Sequence, residues 1–330
     1  MEAAQRSHTA DANWAERIEK WFQSWGTVLV ALVLFVIFSL TAEYFFTLQN
    51  FQNILRQVAI VAVVAIGMTM VILIGGIDLS VGAVVLSSAA VMNSLLFNEV
   101  VPAVPAIIIG LLAAALVGFI NGLLIVKAKI SPIIVTLGTM VMIRGLGQMI
   151  LWINNSWLWV RHPIFTYIKT ETIGSIPVPA VMMFVLYVFA VIMMTKTRFG
   201  RHIYAIGGNE RAAHLCGIPV DRTKILVYVF TGFISGIAGI MMSARLSAIS
   251  PGVGLGLEFE VITAVILGGT SLAGGVGKVE KTLLGAIIVA AILNYMTIKG
   301  ISAHYQRAVT GFIILAAATL DQLSRGRTSS

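Results

Sequence analysis

Residues 54–74 read Ile54-Leu-Arg-Gln-Val-Ala-Ile-Val-Ala-Val-Val-Ala-Ile-Gly-Met-Thr-Met-Val-Ile-Leu-Ile74. After Gln57 this stretch carries no charge, and apolar side chains would cover every face of a helix built from it. The hydrocarbon core of a bilayer is about 30 Å thick, so about 20 such residues cross it as a helix. The stretch therefore predicts a membrane-spanning helix, and the chain repeats the pattern on both sides of it.

The composition fits a protein whose outer surface meets lipid. Of the 330 residues, 58% are hydrophobic and 11% are charged, whereas soluble domains are about a quarter charged. No Pro-rich or low-complexity tract divides the chain. We therefore expect a cytoplasmic segment 1–26, one transmembrane domain 27–322 and a cytoplasmic tail 323–330.

Ten apolar stretches predict an all-α, polytopic transmembrane bundle of about ten spans. In chain order they are Thr27–Ala42, Ile54–Ile74, Gly82–Phe97, Pro102–Val126, Ile133–Trp152, Val178–Thr195, Ile225–Ala244, Val261–Leu272, Thr282–Ile298 and Gln306–Leu320. The third and eighth are short. They could be tilted, or broken and partly re-entrant, which is tolerated where the backbone is buried in protein or lines a cavity.

The basic residues predict the orientation, because Lys and Arg collect in cytoplasmic loops. With the N-terminus inside, seven of the 22 basic residues fall within spans or outside the cell, which leaves fifteen in the cytoplasm. Those seven are Arg56, Arg144, Arg161, Lys169, Arg245, Lys299 and Arg307. The asymmetry favours ten spans with both termini cytoplasmic.

Several classes of function lack their signatures. The net charge of +8 comes without a basic stripe interleaved with aromatic residues, so nucleic-acid binding is not expected. A nucleotide-binding P-loop would need a glycine five residues before Gly277-Lys278, and that residue is Leu272. The five histidines have no metal-ligand spacing, and the single cysteine, Cys216, excludes a disulfide within the chain.

The longest predicted cytoplasmic loop, 196–224, carries a helix signal. Asn209 and Glu210 are typical of a capping residue followed by a first-turn acid, and Gly217 with Pro219 supplies the stop. We expect a helix of about two turns that could sit in a groove of a soluble partner, with Leu215 and Ala212 inward. A plain solvated loop is the equally weighted alternative.

The string Gly75-Gly-Ile-Asp-Leu-Ser-Val-Gly82 interrupts the apolar region after the second span. Its glycines permit a tight turn or a broken helix, and an acid near hydrocarbon is costly enough to indicate a structural or functional role. Asp78 either caps a helix or lines a pathway. The related string Gly268-Gly-Thr-Ser-Leu-Ala could be the remnant of an internal duplication.

Other intramembrane residues allow more than one interpretation. Arg144, near the middle of the fifth span, could pair with an acid, contact a polar substrate or reach the interface, and we favour pairing. Asn121 is a further inward-facing polar candidate. The spacings Gly118–Gly122 and Gly232–Gly236 predict close helix packing. The tryptophans at 152, 157 and 159 predict an interfacial anchor, with a sugar-stacking platform as the less favoured alternative.

Three motifs together identify a resemblance that runs from about Thr27 to Asp321. They are Gly75–Gly82, the run Gly200-Arg-His-Ile-Tyr-Ala-Ile-Gly-Gly-Asn-Glu-Arg-Ala-Ala213, and Gly268-Gly-Thr-Ser-Leu-Ala-Gly-Gly275. The chain resembles the membrane-spanning permease subunits of bacterial ABC-type monosaccharide importers, the group of the ribose, arabinose, xylose and galactose systems. It departs from the usual pattern at Lys278 and Lys281, which leaves open whether the loop 274–282 contacts an ATPase in the common way.

The resemblance implies a bacterial inner-membrane location and three protein partners: a second permease chain, a cytoplasmic ABC ATPase and a periplasmic or surface sugar-binding protein. ATP and Mg would belong to the ATPase, with no cofactor on this chain. The implied contacts with the ATPase, within 200–217, are Gly200, Arg201, Gly207, Gly208, Asn209, Glu210 and Ala213. Our candidates for the pathway or for helix breaks are Gly75, Gly76, Asp78, Ser80, Asn121, Arg144, Gly268, Gly269, Thr270 and Ser271.

The function expected is therefore that of a non-enzymatic permease subunit of an ATP-driven importer. The alternative is an ion-coupled secondary carrier for a small polar solute. An ion-coupled carrier usually needs several intramembrane charges, and their apparent scarcity argues against it.

Overall fold

The computed structural model describes residues 26–326, with side chains through residue 319. Of the predicted cytoplasmic segments 1–26 and 323–330, residues 1–25 and 327–330 lie outside this range. Within it, thirteen helices and four two-residue strands make up the ordered elements. The helices are α1 Gly26–Thr41, α2 Leu48–Leu73, α3 Val81–Phe97, α4 Ala103–Lys127, α5 Pro132–Ile153, α6 Pro163–Thr170, α7 Val178–Lys196, α8 Arg198–Gly208, α9 Glu210–Leu215, α10 Val220–Leu246, α11 Leu257–Leu267, α12 Val279–Ile298 and α13 Ala303–Gly326.

The all-helical, polytopic architecture is confirmed. Six helices are long and apolar enough to cross a membrane: α2, α4, α5, α7, α10 and α12. Two shorter apolar helices, α1 and α3, stand where the first and third spans are predicted. The helices α11 and α13 overlap the predicted eighth and tenth spans. Ten crossings with both ends in the cytoplasm stay a prediction.

The helix α2, which contains most of the apolar stretch 54–74, lies at the centre of the bundle. Of its most apolar 18-residue window, 83% is buried inside the protein, more than in any of the other five long apolar helices. It packs against α7, α10, α11 and α12. A helix that is hydrophobic on all sides is suited to burial or to contact with lipid, and its central position is consistent with its sequence.

The predicted glycine faces are confirmed, and they pack against each other. A Cβ atom on Gly118 of α4 would lie 2.1 Å from the carbonyl oxygen of Tyr228 on α10. One on Gly232 would lie 2.4 Å from the carbonyl oxygen of Ala114. Only glycine allows the two backbones to approach this closely.

Both glycine strings end a helix with the same hydrogen-bonded turn. Gly75, at φ +77°, donates its N–H to Ile72 O, and Gly76 donates to Val71 O. Gly269, at φ +80°, donates to Ile266 O, and the next residue, Thr270, donates to Val265 O. This is the Schellman arrangement, which favours glycine at the left-handed position. The structure thus matches Gly75 with Gly269, whereas the comparison of the two strings by sequence pairs Gly75 with Gly268.

The helix contacts show a larger repeat than these strings. The helix α4 packs on α10 as α12 packs on α2, and α3 packs on α10 as α11 packs on α2. Likewise, α3 contacts α4 and α5, as α11 contacts α12 and α13. The repeated units are therefore α2–α5 and α10–α13. In the ten-span order α2 and α10 run in opposite directions, as in the inverted repeats of many transporters.

The segments 74–80 and 247–256 occupy equivalent places in this repeat, and 247–256 contacts the start of α3, which directly follows 74–80. A Cβ atom on Gly82 would lie 2.4 Å from the carbonyl oxygen of Gly254, and one on Gly254 would lie 2.4 Å from that of Gly82. The segment equivalent to the first glycine string is thus 247–256. The duplication suggested for Gly268–Ala273 was assigned to the wrong segment.

The predicted bounds of the eighth span, Val261–Leu272, are also wrong. The helix begins at Leu257 and ends at Leu267. Its first turn contains Glu258 and Glu260, which a search for apolar residues excludes. Its end is set by the turn at Gly268 and Gly269 rather than by loss of hydrophobicity.

Between α5 and α7 the chain forms a small cap. The strand Leu158–Trp159 (β1) pairs antiparallel with Ala248–Ile249 (β4). The strands Thr172–Ile173 (β2) and Ile176–Pro177 (β3) form a hairpin. The side chains of the three tryptophans of this region are exposed, as either an interfacial anchor or a stacking platform would require.

Candidate functional site

The three sequence motifs meet at one point, which we call the glycine junction: Leu73, Gly75, Gly207, Gly274 and Gly275. The N–H of Gly275 donates to Leu73 O over 2.9 Å. A Cβ atom on Gly207 would lie 1.9 Å from Leu73 O and 2.5 Å from the nitrogen of Gly275. A Cβ atom on Gly274 would lie 3.1 Å from the nitrogen of Gly75. The segment 196–224, the end of α2 and the second glycine string are therefore in backbone contact.

The segment 196–224 is more helical than the sequence suggests. The predicted helix start is confirmed, because Asn209 Oδ1 accepts the N–H of Ala212 at the first turn of α9. The predicted stop is confirmed too: Gly217 has φ +78° and donates to His214 O. The preceding helix α8 was not predicted. It begins where Thr197 Oγ1 accepts the N–H of Gly200.

One side of this segment is fastened to the bundle. The hydroxyl of Tyr204 donates to Gly277 O over 3.0 Å, and Ala213 is buried. Lys224 Nζ lies 2.6 Å from Glu210 Oε2. Burial, with a smaller contribution from the carboxylate of Glu280, raises the pKa of the Tyr204 hydroxyl, so this donor stays protonated at neutral pH.

The other side of α9 is uncovered. The side chain of Leu215 is 86% exposed, and Ala212 and Arg211 are exposed beside it. The two residues expected to face a partner are thus on the free side of the helix. Of the remaining candidates, Gly200 packs on Met194 of α7, Gly208 has open space around its Cα, and Arg201 is exposed.

Asp78 and Asn121 belong to one buried hydrogen-bonded cluster. Asp78, 2% exposed, accepts the N–H of Ser80 at 2.9 Å and its hydroxyl at 2.6 Å through the same Oδ1. Asn121 Nδ2 donates to Ser80 Oγ over 3.0 Å. The N–H of Ser80 immediately precedes α3, so this geometry is that of a carboxylate buttressing a helix start.

Asp78→Ala should lower the free energy of unfolding by about 2–4 kcal/mol, because two buried donors of Ser80 lose their acceptor. The thermal midpoint of the detergent-solubilised protein measures this loss. The control is Asp221→Ala, which removes an exposed ion pair with Lys127 and should cost less than about 1 kcal/mol. Equal midpoints for the two variants would contradict the buttressing role.

The second glycine string forms a tight loop whose polar groups face inward. Ser271 donates its N–H to Val276 O and accepts the N–H of Gly274. Thr270 is buried, and a Cβ atom on Gly277 would lie 2.5 Å from its hydroxyl oxygen. Gly268 packs on the backbone of Thr282 in α12. These contacts support a helix break at this point. Gly277 lies against the hydroxyl of Thr270, which is shielded from solvent.

Arg144 spans the gap between the two halves of the repeat. Its guanidinium donates to Val253 O at 3.3 Å and to Gly254 O at 3.1 Å. The carboxylate of Glu258, 4% exposed, adds an electrostatic attraction. The hydrogen bonds of Arg144 go to backbone carbonyls rather than to an acid, so pairing with an acid stays a prediction.

The sequence reasoning missed Glu258, Glu260 and Arg245 by placing all three outside the spans. Acids just before an apolar run are a signal for a helix start, and that signal would have found both glutamates. Among the described residues, no three His, Cys, Asp or Glu side chains are grouped as a metal site requires.

Comparison with known proteins gives the family. Residues 50–318 match the family described as "Branched-chain amino acid transport system / permease component". The ribose import permease protein RbsC of Bacillus subtilis is 42% identical over 91% of this chain and 93% of its own length. RbsC of Escherichia coli K12 is 38% identical over 91% and 94%. The D-allose permease AlsC of Escherichia coli K12 is 35% identical over 92% of both chains.

No solved structure matches the chain. The family and the several apolar helices make it a multi-pass protein of the bacterial inner membrane. The resemblance seen in the three motifs is confirmed across most of its length, and the chain belongs to the family of ABC-transporter permease subunits that includes the ribose, allose and arabinose permeases.

Proposed function

We propose that the chain is the permease subunit of an ATP-driven, binding-protein-dependent sugar importer. The observation that carries this proposal is the segment 196–224: one side is fastened to the glycine junction, and the other side is uncovered. Relatives named for ribose, allose and arabinose support a sugar as the solute. Two such chains would form the pathway as a dimer, and ATP with Mg would bind to a partner ATPase.

The proposed coupling follows from how rigidly the segment is held. A partner that moves α9 displaces α8, because Asn209 alone separates them. Through Gly207 the movement reaches Leu73 at the end of α2 and Gly275 in the second string. Packed elements in backbone contact transmit displacement rather than absorb it. ATP hydrolysis in the partner would in this way act on both halves of the repeat.

Glu210→Lys should reduce ATP-dependent uptake by about tenfold or more and leave membrane insertion intact. The change replaces a charge-assisted contact with Lys224 by repulsion at the start of α9, where an acid is also favoured by the helix dipole. Radiolabelled sugar uptake and ATP hydrolysis are measured in proteoliposomes with the ATPase and the binding protein.

The matched control is Glu43→Lys, an equal charge reversal at an exposed position between α1 and α2. It should transport normally. Normal coupled uptake by the Glu210 variant would remove the coupling role. Uptake by the unmodified system that does not depend on ATP would contradict the importer itself.

An ion-coupled carrier is the second candidate, and the buried Glu258 is the observation in its favour. Arg144 donates to the neighbouring carbonyl of Gly254 and so already places a positive charge near this carboxyl, which argues against its holding a cation. Uptake by the purified chain alone under a proton or sodium gradient would establish this alternative, and ATP-dependent uptake that requires all subunits would exclude it.

A further inference from the structure

Two cavities adjoin between α2, α10, α11 and α13. The larger has a volume of about 730 Å³ and the smaller about 160 Å³, and both are lined by Leu255 and Glu260. The larger volume falls within the roughly 300–1,000 Å³ of small-molecule sites. We call the two together the α11–α13 groove.

The groove has a mostly apolar lining that includes several charged and polar side chains. The larger cavity is lined by Glu258, Glu260, Gln306, Arg307 and Thr310. The smaller adds Gln57 and Arg245. The rest of the lining is largely apolar and includes the half-exposed ring of Phe259. Charged groups at this depth are costly in lipid and normally face water, a ligand or another protein.

The depth of the groove follows from the helix ends. Gln57 is nine residues from the start of α2 and Thr310 is seven residues from the start of α13, which is about 13 Å and about 10 Å along the helices. Arg245 is next to the end of α10. In the ten-span order these three helix ends lie on the outer side, so the groove occupies the outer part of the bundle.

In the α11–α13 groove one acidic side chain lies between two basic ones. Glu260 lines both cavities, with Arg245 on the side of the smaller one and Arg307 on the side of the larger one. A carboxylate accepts hydrogen bonds and a guanidinium only donates them. Neighbouring hydroxyls of a sugar do both, and an aromatic ring suits the apolar face of a sugar ring.

We propose that the α11–α13 groove is a receiving site for a neutral polyhydroxylated solute, with Glu260 accepting and Arg245 and Arg307 donating hydrogen bonds to its hydroxyls. This inference deepens the proposed function and rests on it. The solute enters the groove from outside before the pathway opens inward. A second copy of the chain covering the groove is the competing occupant, and the experiments distinguish the two.

The first experiment measures whether the groove holds water. In a Cys216→Ser background, Leu315→Cys places a thiol on the groove lining, and Leu116→Cys places one on an exposed face of α4. Leu315 is twelve residues into α13 and Leu116 thirteen residues into α4, so their depths match. A membrane-impermeant thiol reagent should modify the Leu315 variant at least about tenfold faster, the contrast expected between a watery and a lipid-facing site.

Adding D-ribose, L-arabinose or D-allose should slow modification of the Leu315 variant and leave the Leu116 variant unchanged. Equal modification of both thiols, or no protection by any of the three sugars, would overturn the proposal. An unreactive Leu315 thiol that instead crosslinks two chains would also overturn it, because a second copy would then fill the groove.

The second experiment uses the complete importer and D-ribose. Glu260→Gln and Arg307→Gln should each raise the KM for uptake by about tenfold or more, the effect of losing a hydrogen bond to a charged group, while ATP hydrolysis continues. Glu43→Gln is the control and should match the unmodified chain. If these residues had a purely structural role, the variants would show a lower yield and kcat with an unchanged KM. That result would contradict the proposal. If the unmodified importer shows no ATP-dependent uptake, the proposed function fails instead.

Discussion

Gly207→Ala is expected to abolish coupled transport, whereas Gly208→Ala is expected to leave it close to normal. A Cβ atom at position 207 would lie 1.9 Å from Leu73 O and 2.5 Å from the nitrogen of Gly275. Both are backbone atoms, and Leu73 is fully buried, so its carbonyl cannot retreat as a flexible side chain would. At position 208 nothing lies within 4 Å of the added carbon.

The two substitutions make the same chemical change at neighbouring positions of one helix. Both glycines belong to α8, and alanine is the better helix former by about 1 kcal/mol. Intrinsic propensity therefore favours both variants, and only the collision separates them. Forcing one methyl group into packed backbone costs roughly 1–3 kcal/mol or more. We expect the variant to relieve the collision by moving α8 away from the glycine junction.

ATP hydrolysis and sugar uptake are measured together in proteoliposomes for both variants. The Gly207 variant should retain hydrolysis that no longer drives uptake, or should fail to assemble with the ATPase. Normal coupling in this variant would show that contact at the junction is not required. A Gly208 variant as impaired as the Gly207 variant would contradict close approach as the cause, since position 208 has only its helix and its implied contact with the ATPase to lose.

Local signals in the sequence predicted the ends of elements well. The cap at Asn209 and the breaks at Gly75 and Gly217 follow from short-range hydrogen bonding, which a few neighbouring residues determine. The faces Gly118–Gly122 and Gly232–Gly236 followed from helical spacing. The sequence did not predict that these two faces pack against each other, because the spacing on one helix carries no information about its partner.

The junction itself was beyond local reasoning. Leu73, Gly207 and Gly275 are separated by more than 60 residues in each step along the chain, and their contact depends on how α2, α8 and the second string pack. The start of α11 was missed for a different reason. An apolar window excludes Glu258, yet a buried acid can be tolerated when an arginine and backbone N–H groups balance it.

Because Arg144 lies near the buried acid Glu258, Arg144→Met is a substitution with a large expected effect. It should lower the free energy of unfolding by about 2–4 kcal/mol, toward the lower end of the cost of breaking a buried charge pair, because Arg144 is half-buried. The carbonyls of Val253 and Gly254 lose their donors, and the buried carboxyl of Glu258 loses the nearby guanidinium. The thermal midpoint in detergent measures the loss.

A suitable control lies one turn further along α5. Gln148 donates to Pro251 O in the same segment over 3.3 Å and is exposed. Gln148→Met therefore removes a hydrogen bond to the same segment without uncovering a charge. It should cost less than about 1 kcal/mol, the typical net value of one neutral hydrogen bond.

The double variant Arg144→Met/Glu258→Gln decides what Arg144 does. If the arginine balances the buried acid, neutralising Glu258 should restore about 1 kcal/mol or more of the loss, since contacting residues are not additive. If the two changes simply add, the arginine acts through the carbonyls of Val253 and Gly254 alone, and the balance between the two charges is contradicted. If Arg144→Met leaves the midpoint unchanged and only uptake falls, pairing is wrong, and Arg144 contacts the solute as the less favoured interpretation requires.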